Sequence, residues 1–326
     1  MRSSGRRRAA FAVLLGLGPM ALGACGRVGY QRLASIDDGG SRDAGSDAGL
    51  DGSVPRTCDW LAGPPVFGAP VALSALHGTA DDRDPVLQHG GLELLFISNR
   101  NGSFDIFRAT RPDASSPFGT PVPDPAVNSG SSESHYYETA DRLEAVFTSD
   151  RPSSGPGTYN VFSGTRASAG LVFPGFDVVP NVNGTGNGNF DPLIAPDLLT
   201  LWLSPYQGGA TQQDLVFATR PDRSSPFGSP VAATELNSTA NDADPSFVGD
   251  GRVIVFSSAR SGINRAYYAI RAGTSGPFGA PIPVPGIDPA IVVDDPAVSE
   301  DGCSLYFATT SLGGPGQHDL YVLEAP

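Results

Sequence analysis

The chain contains no lysine; all 21 of its basic side chains are arginine. Cysteine is scarce, at three in 326 residues. Methionine and tryptophan number two each. Gly and Pro interrupt the single apolar run, AAFAVLLGLGPMALGA near the start, which is too short to make a good membrane span. After residue 60 no apolar stripe of helical period persists, so long amphipathic helices are excluded. Walker loop, G-x-S-x-G elbow, HxH and HExxH are all missing, and no cysteine sits in a low-pKa motif. The formal charge is −13. An acidic chain does not track phosphate backbones, so nucleic acid is excluded as a partner. Arginine without lysine, beside 41 Gly and 30 Pro, reads as the codon bias of a GC-rich genome.

What the chain has is a repeat. Asp84 to Val122 recurs as Asp244 to Ile282, and a third copy runs from Asp191 to Val231. A looser copy spans Ser134 to Val178, and a shortened fifth spans Asp295 to Ala325. Two landmarks keep the same register. The second-strand aromatics Phe96, Phe147, Trp202, Phe256 and Phe307 are spaced by 51, 55, 54 and 51 residues. The Phe of the FG-P segment, at 67, 118, 173, 227 and 278, follows the same four steps. Such self-similarity outranks any local motif as a guide to fold.

Each copy reads as four short strands rich in Val, Ile, Phe and Tyr, separated by Gly, Pro and Asn turns. Asp-Pro opens the first strand in four copies, and FG-P marks the fourth. A period near 50 with four strands per unit suits radial blades. The expectation is an all-β, five-bladed propeller. Phe67 has no repeat body before it, and the fifth body has no FG-P segment after it. The segment Val66 to Leu73 is therefore expected to complete the last blade, sealing two otherwise bare edges.

The N-terminus reads as a lipoprotein leader. Arg2, Arg6, Arg7 and Arg8 form a charged region, the short apolar core follows, and Leu22-Gly23-Ala24-Cys25 resembles a lipobox. Residues 1–24 are assigned as signal peptide, 25–57 as a lipidated cysteine with a disordered tether, and 58–326 as propeller. The tether is Gly, Ser, Ala and Asp with almost nothing to bury. Its Asp spacing does not match a calcium loop. Gly26, where Asp would signal inner-membrane retention, points to the outer membrane. Processing leaves 17 arginines against 34 acids, a net charge of −17. With Cys25 assigned to lipid, Cys58 and Cys303 remain as a pair in an oxidising compartment, and closure puts both in the last blade. They read either as a disulfide or as two buried thiols.

The segments SNRNGSFDIF (Ser98 to Phe107), TSDRPSSGPGTYNVF (Thr148 to Phe162), SEDGCSLYF (Ser299 to Phe307) and GGPGQHDLY (Gly313 to Tyr321) resemble the TolB-type, WD-like repeat of periplasmic β-propellers. The resemblance covers about residues 60 to 326. It implies a protein-docking surface in the cell envelope. TolB itself has six blades and a separate N-terminal α/β domain, and neither has a counterpart here.

Four repeated carboxylates, Asp84, Asp191, Asp244 and Asp295, are expected at the channel mouth. Five-bladed glycoside hydrolases put carboxylate pairs there. A residue repeated in every blade reads instead as a structural one, since a catalytic pair needs unlike environments. Blade two departs from the pattern: His135-Tyr136 replaces Asp-Pro, and Glu133, His135, Tyr137 and Glu138 gather polar groups there. These four are either drift of one repeat or a ligand site. No catalytic residue, metal site or cofactor is expected. The reading is a non-catalytic, lipid-anchored envelope scaffold that binds another protein, with a carbohydrate-active propeller, hydrolase or lectin, as the alternative. Replacing Cys25 by Ala is expected to move the protein from the detergent phase to the aqueous phase and to block its processing, as read by detergent partitioning and gel mobility.

Overall fold

The computed structural model describes residues 57–155, 158–184, 188, 190–206 and 212–326. The expected signal peptide, Cys25 and nearly all of the expected tether lie outside the described residues. Twenty strands form five antiparallel sheets of four, and no helix occurs among the described residues. Strand β1 (Val71–Ala72) comes first. Blade one follows, with β2 (Asp82–Gln88), β3 (Glu93–Ser98), β4 (Asp105–Thr110) and β5 (Val122–Pro123). Blade two holds β6 (Glu133–Glu138), β7 (Glu144–Ser149), β8 (Asn160–Thr165) and β9 (Asp177–Val178). Blade three holds β10 (Leu193–Ile194), β11 (Thr200–Leu203), β12 (Val216–Thr219) and β13 (Val231–Ala232). Blade four holds β14 (Asp242–Val248), β15 (Val253–Ser258), β16 (Arg265–Ile270) and β17 (Ile282–Pro283). Blade five holds β18 (Asp294–Val298), β19 (Ser304–Thr309) and β20 (Asp319–Glu324), and β1 is its outer strand.

The two aromatic landmarks have separate jobs. In all five blades the second-strand aromatic faces a third-strand aromatic directly across the ladder: Phe96 and Phe107, Phe147 and Phe162, Trp202 and Phe217, Phe256 and Tyr267, Phe307 and Tyr321. Their ring centroids lie between 5.2 and 6.3 Å apart. Such pairs add stability beyond their area. Every residue of β3, β7, β15 and β19 is buried. The buried apolar residues fall into five clusters, each joining two adjacent blades. The hydrophobic core is therefore a ring of interfaces between blades.

The FG-P phenylalanines lie under arginines. Arg111, Arg166, Arg220 and Arg271, each just past the third strand, stack over Phe118, Phe173, Phe227 and Phe278 at 4.2 to 4.6 Å. A second set caps the aromatic pairs. Arg100, Arg151 and Arg260 lie over both rings of their blade and each donates from one guanidinium nitrogen to Asp82, Glu133 or Asp242 at 2.6 to 2.9 Å. Each also donates to a backbone carbonyl, of Leu76, Val127 or Leu236. A planar, forked cation makes all of these contacts at once, and an ammonium does not.

FG-P itself is not the fourth strand. Gly119 donates to the Thr110 carbonyl, and the two-residue strand β5 begins only after Pro121. Gly228 with Thr219 and Gly279 with Ile270 repeat the arrangement. Proline has no N–H, so it interrupts the ladder between the glycine bond and the strand.

Closure follows the expected route. Strand β1 pairs with β20, Val71 opposite Val322 and Ala72 opposite Tyr321. Gly68 and Leu73 donate to the carbonyls of Glu324 and Leu320 at 2.9 and 3.0 Å. Cys58 and Cys303 form a disulfide with their Cα atoms 5.2 Å apart, joining residues 245 positions apart. Beside it the buried Trp60 indole donates to the Gly302 carbonyl at 2.8 Å. No described helix is long and apolar enough to cross a membrane.

Closing so long a loop stabilises a fold by roughly 2–4 kcal/mol. The double variant Cys58→Ser, Cys303→Ser is expected to melt about 5–10 °C lower than the oxidised protein. Removing residues 1–56 should leave the melt unchanged. Removing residues 1–75 should bare β20 and cause aggregation, read by differential scanning fluorimetry and light scattering.

Candidate functional site

The inner strands surround a central channel. In four of the five blades the inner strand carries a bulge at the Asp-Pro position or its His135-Tyr136 counterpart. The register of β2 against β3 slips between Arg83 and Val86, and β14 and β18 slip at the equivalent places. Strand β6 slips likewise, between Ser134 and Tyr137. The residue at this position has left-handed backbone in every blade: φ is +52° at Asp84, +53° at His135, +58° at Asp191, +56° at Asp244 and +53° at Asp295. Asp and His are among the side chains that tolerate this conformation. The proline that follows needs no ladder partner, which suits a bulge. His135 is therefore the exact counterpart of the four aspartates in backbone, and differs only in side chain.

These five side chains form a ring about the axis. The Asp84 amide donates to Asp295 at 3.2 Å, the Asp295 amide to Asp244 at 3.3 Å, and the Asp244 amide to Asp191 at 3.3 Å. Each aspartate that accepts thus ties its blade to the next. Ser257 donates to Asp244 at 2.5 Å, and Ser204 donates to Asp191. His135 Nε2 lies 2.5 Å from Asp191 and 3.1 Å from Asp84. Burial works against the His135 imidazolium, but Asp191 and Asp84 together hold its pKa well above the ordinary range. Burial, with nearby Asp191, pushes Asp244 up. Burial, with Asp84 and Asp244, does the same to Asp295.

The ring separates two chambers. One, of about 320 Å³, lies toward the ends of the inner strands and is lined mainly by apolar groups such as Val86, Leu193 and Phe247, with Tyr137. Burial, with the charges of Glu300 and Asp141, pushes the Tyr137 phenol up to about 12. The other chamber, of about 390 Å³, lies where the inner strands begin. Its walls are unlike each other. Tyr159, Phe190 and Tyr206 form an aromatic wall with ring centroids 5.4 and 5.5 Å apart, and Phe190 also faces His135 at 5.9 Å. Polar groups occupy another side. Arg83 grips Asp81 through two bonds of 3.0 Å, His318 lies 2.7 Å from Asp81, and Asn264 donates to Asp294 at 2.6 Å.

Of the four polar residues singled out in blade two, two reach the channel with open surface and two are engaged in the blade. His135 stands in the ring, and Tyr137 lines the apolar chamber. Glu133 is wholly buried and bound by Ser129, Ser149 and Arg151, the counterpart of Asp82 and Asp242. Glu138 touches the apolar chamber, but its carboxylate accepts from Tyr136 at 2.8 Å and Arg166 at 2.6 Å.

Pattern reading passed over the aromatic wall and Arg83. A signal for them exists. The position before the ring residue is Arg83, Ser134, Phe190, Ala243 or Asp294 in the five blades, and all five line the larger chamber. The bulge turns the ring residue to the axis and leaves its predecessor facing the mouth. Irregularity beside a regular position thus gives this chamber its unlike walls.

No family profile and no curated protein matches the chain. Solved structures do. An α-L-arabinofuranosidase from Podospora anserina is similar over 80% of this chain and 98% of its own, with 12% identity and a TM-score of 0.52. The catalytic domain of a GH62 α-L-arabinofuranosidase from Coprinopsis cinerea covers 80% and 97%, with 11% identity and a TM-score of 0.51. TolB from Acinetobacter baumannii covers 77% of this chain and 56% of its own, with 13% identity and a TM-score of 0.46. At these identities the likeness to the two α-L-arabinofuranosidases is one of fold alone.

The ring predicts an ordering of variants. Asp244→Asn keeps an acceptor for the Asp295 amide, tolerates the left-handed backbone and removes a crowded charge. In chelating buffer at pH 7 it is expected to melt at or above wild type. Asp244→Ala loses the acceptor and strains the backbone, and is expected to be about 1–2 kcal/mol less stable by urea titration.

Proposed function

We propose that this chain is a non-catalytic cell-envelope lipoprotein whose TolB-like propeller binds another envelope protein through the larger chamber. The observation that carries this reading is the commitment of the channel carboxylates. Asp191, Asp244 and Asp295 accept from amides of the next blade, and two of them also accept from serines. A glycosidase sets two carboxyl groups about 5–5.5 Å or 6.5–9.5 Å apart on either side of an open cleft. Here the groups converge, with ligand atoms of Asp84, His135 and Asp295 within 4.8 Å of one another. At the mouth, Asp81 is held by Arg83 and His318, and Asp294 by Asn264. What stays accessible is a half-buried aromatic wall beside a polar one, a surface suited to recognition. The motif likeness to TolB-type repeats and the lipobox at Cys25 support the envelope assignment.

A second reading keeps one specific support. An aromatic face beside amide and charged groups also fits a sugar ring, so a lectin-like role is the alternative.

The test is capture from envelope extract by the immobilised mature protein, paired with a glycan array. The expected result is a discrete protein partner for wild type. Tyr159→Ala with Phe190→Ala is expected to weaken its binding about tenfold or more while the fold persists. Glycan binding lost in the same variant, with no protein captured, would favour the lectin reading. Turnover of aryl arabinosides by wild type would overturn both.

A further inference from the structure

The ring is short of hydrogen-bond donors, and the shortage is local. Asp191 and Asp244 each receive an amide and a serine hydroxyl, and Asp295 receives an amide. Asp84, with its side chain only 5% exposed, faces just the imidazole edge of His135 at 3.1 Å. Asp191 lies nearer that same nitrogen, at 2.5 Å. One N–H cannot serve two carboxylates. Asp84 Oδ2 and Asp191 Oδ1 are accordingly both buried without a well-formed hydrogen bond, and so is His135 Nδ1. The cation next in sequence, Arg83, is turned away onto Asp81. A buried carboxylate that shares its one close counter-charge, His135, with Asp191 and lacks a well-formed donor is expensive to keep.

Geometry supplies the alternative. One ligand atom each from Asp84, His135 and Asp295 lie within 4.8 Å of one another. Tetrahedral ligands at about 2.1 Å from a metal stand about 3.4 Å apart, so binding would draw the widest pair together by up to about 1.4 Å. The chambers on both sides leave room for water to complete the coordination. One imidazole with two carboxylates suits zinc or manganese better than the all-oxygen preference of calcium or magnesium.

We propose that Asp84, His135 and Asp295 form a site for one divalent cation, Zn²⁺ or Mn²⁺, at the centre of the channel. The proposal is independent of the partner suggested above. It also accounts for the break in the repeat: blade two carries His where the others carry Asp because the site takes one nitrogen ligand.

The test uses the mature chain, stripped with chelator and titrated with Zn²⁺ and Mn²⁺. Calorimetry is expected to show one ion per ring. At a hundredfold excess over Kd the melt should rise by about 5–10 °C. His135→Gln and Asp84→Asn should each weaken binding at least tenfold and abolish the rise while still melting cooperatively in chelator. Electron spin-echo spectroscopy of the Mn²⁺-loaded wild type should show a coupled imidazole nitrogen, a result that does not depend on any variant folding. Absence of that coupling would overturn the site. So would binding of equal affinity in both variants, which would place the ion on the Asp-rich segment at 37–51.

Discussion

One backbone feature organises the molecule, the left-handed residue that recurs in every blade and opens a bulge in four of the inner strands. At a φ near +55° the side chain turns from the blade toward the axis. Three of the five blade junctions around the axis are then tied by an amide that reaches the aspartate of its neighbour. The bulge also exposes the preceding residue to the channel mouth. Blade-to-blade registration, the ring and the lining of the larger chamber thus descend from a single conformational choice. Few residue types adopt it, which is why the position reads as Asp or His.

Around this axis the blades are held by aromatic pairs and arginine. Seven arginines lie over rings, and five of these also pair with a buried acid. The composition, read as codon bias, acquires a structural consequence. At least these seven positions use properties that lysine lacks, so arginine cannot be exchanged there without loss. The disulfide and β1 act at the seam, where the repeat is interrupted and the ring has to be joined to itself.

The channel combines two kinds of position. Regular ones carry the ring, and irregular ones, Arg83, Phe190 and Asp294 among them, give the larger chamber its unlike walls. His135 belongs to both. It keeps the backbone of the regular position and changes its chemistry, placing an imidazole among four carboxylates.

The repeat by itself determined the all-β class, the five blades, the four strands in each and a seam within Val66 to Leu73. These follow from period and hydrophobic pattern, which are properties of order along the chain. It also marked Asp84, Asp191, Asp244 and Asp295 as equivalent and His135 as the exception. Only the tertiary structure decided what those marks mean. Glu133 and Glu138 stand in the sequence beside His135, yet they meet Arg151 and Arg166 inside the blade, because the left-handed bulge at His135 breaks the alternation of the strand. Tyr159, Phe190 and Tyr206 are far apart in sequence and form one wall, because neighbouring blades bring their loops to the same mouth. The bridge between Cys58 and Cys303, open as an alternative in the sequence, is decided by closure across 245 residues. Distance along the chain carries no record of these meetings, and the closing of the ring creates them.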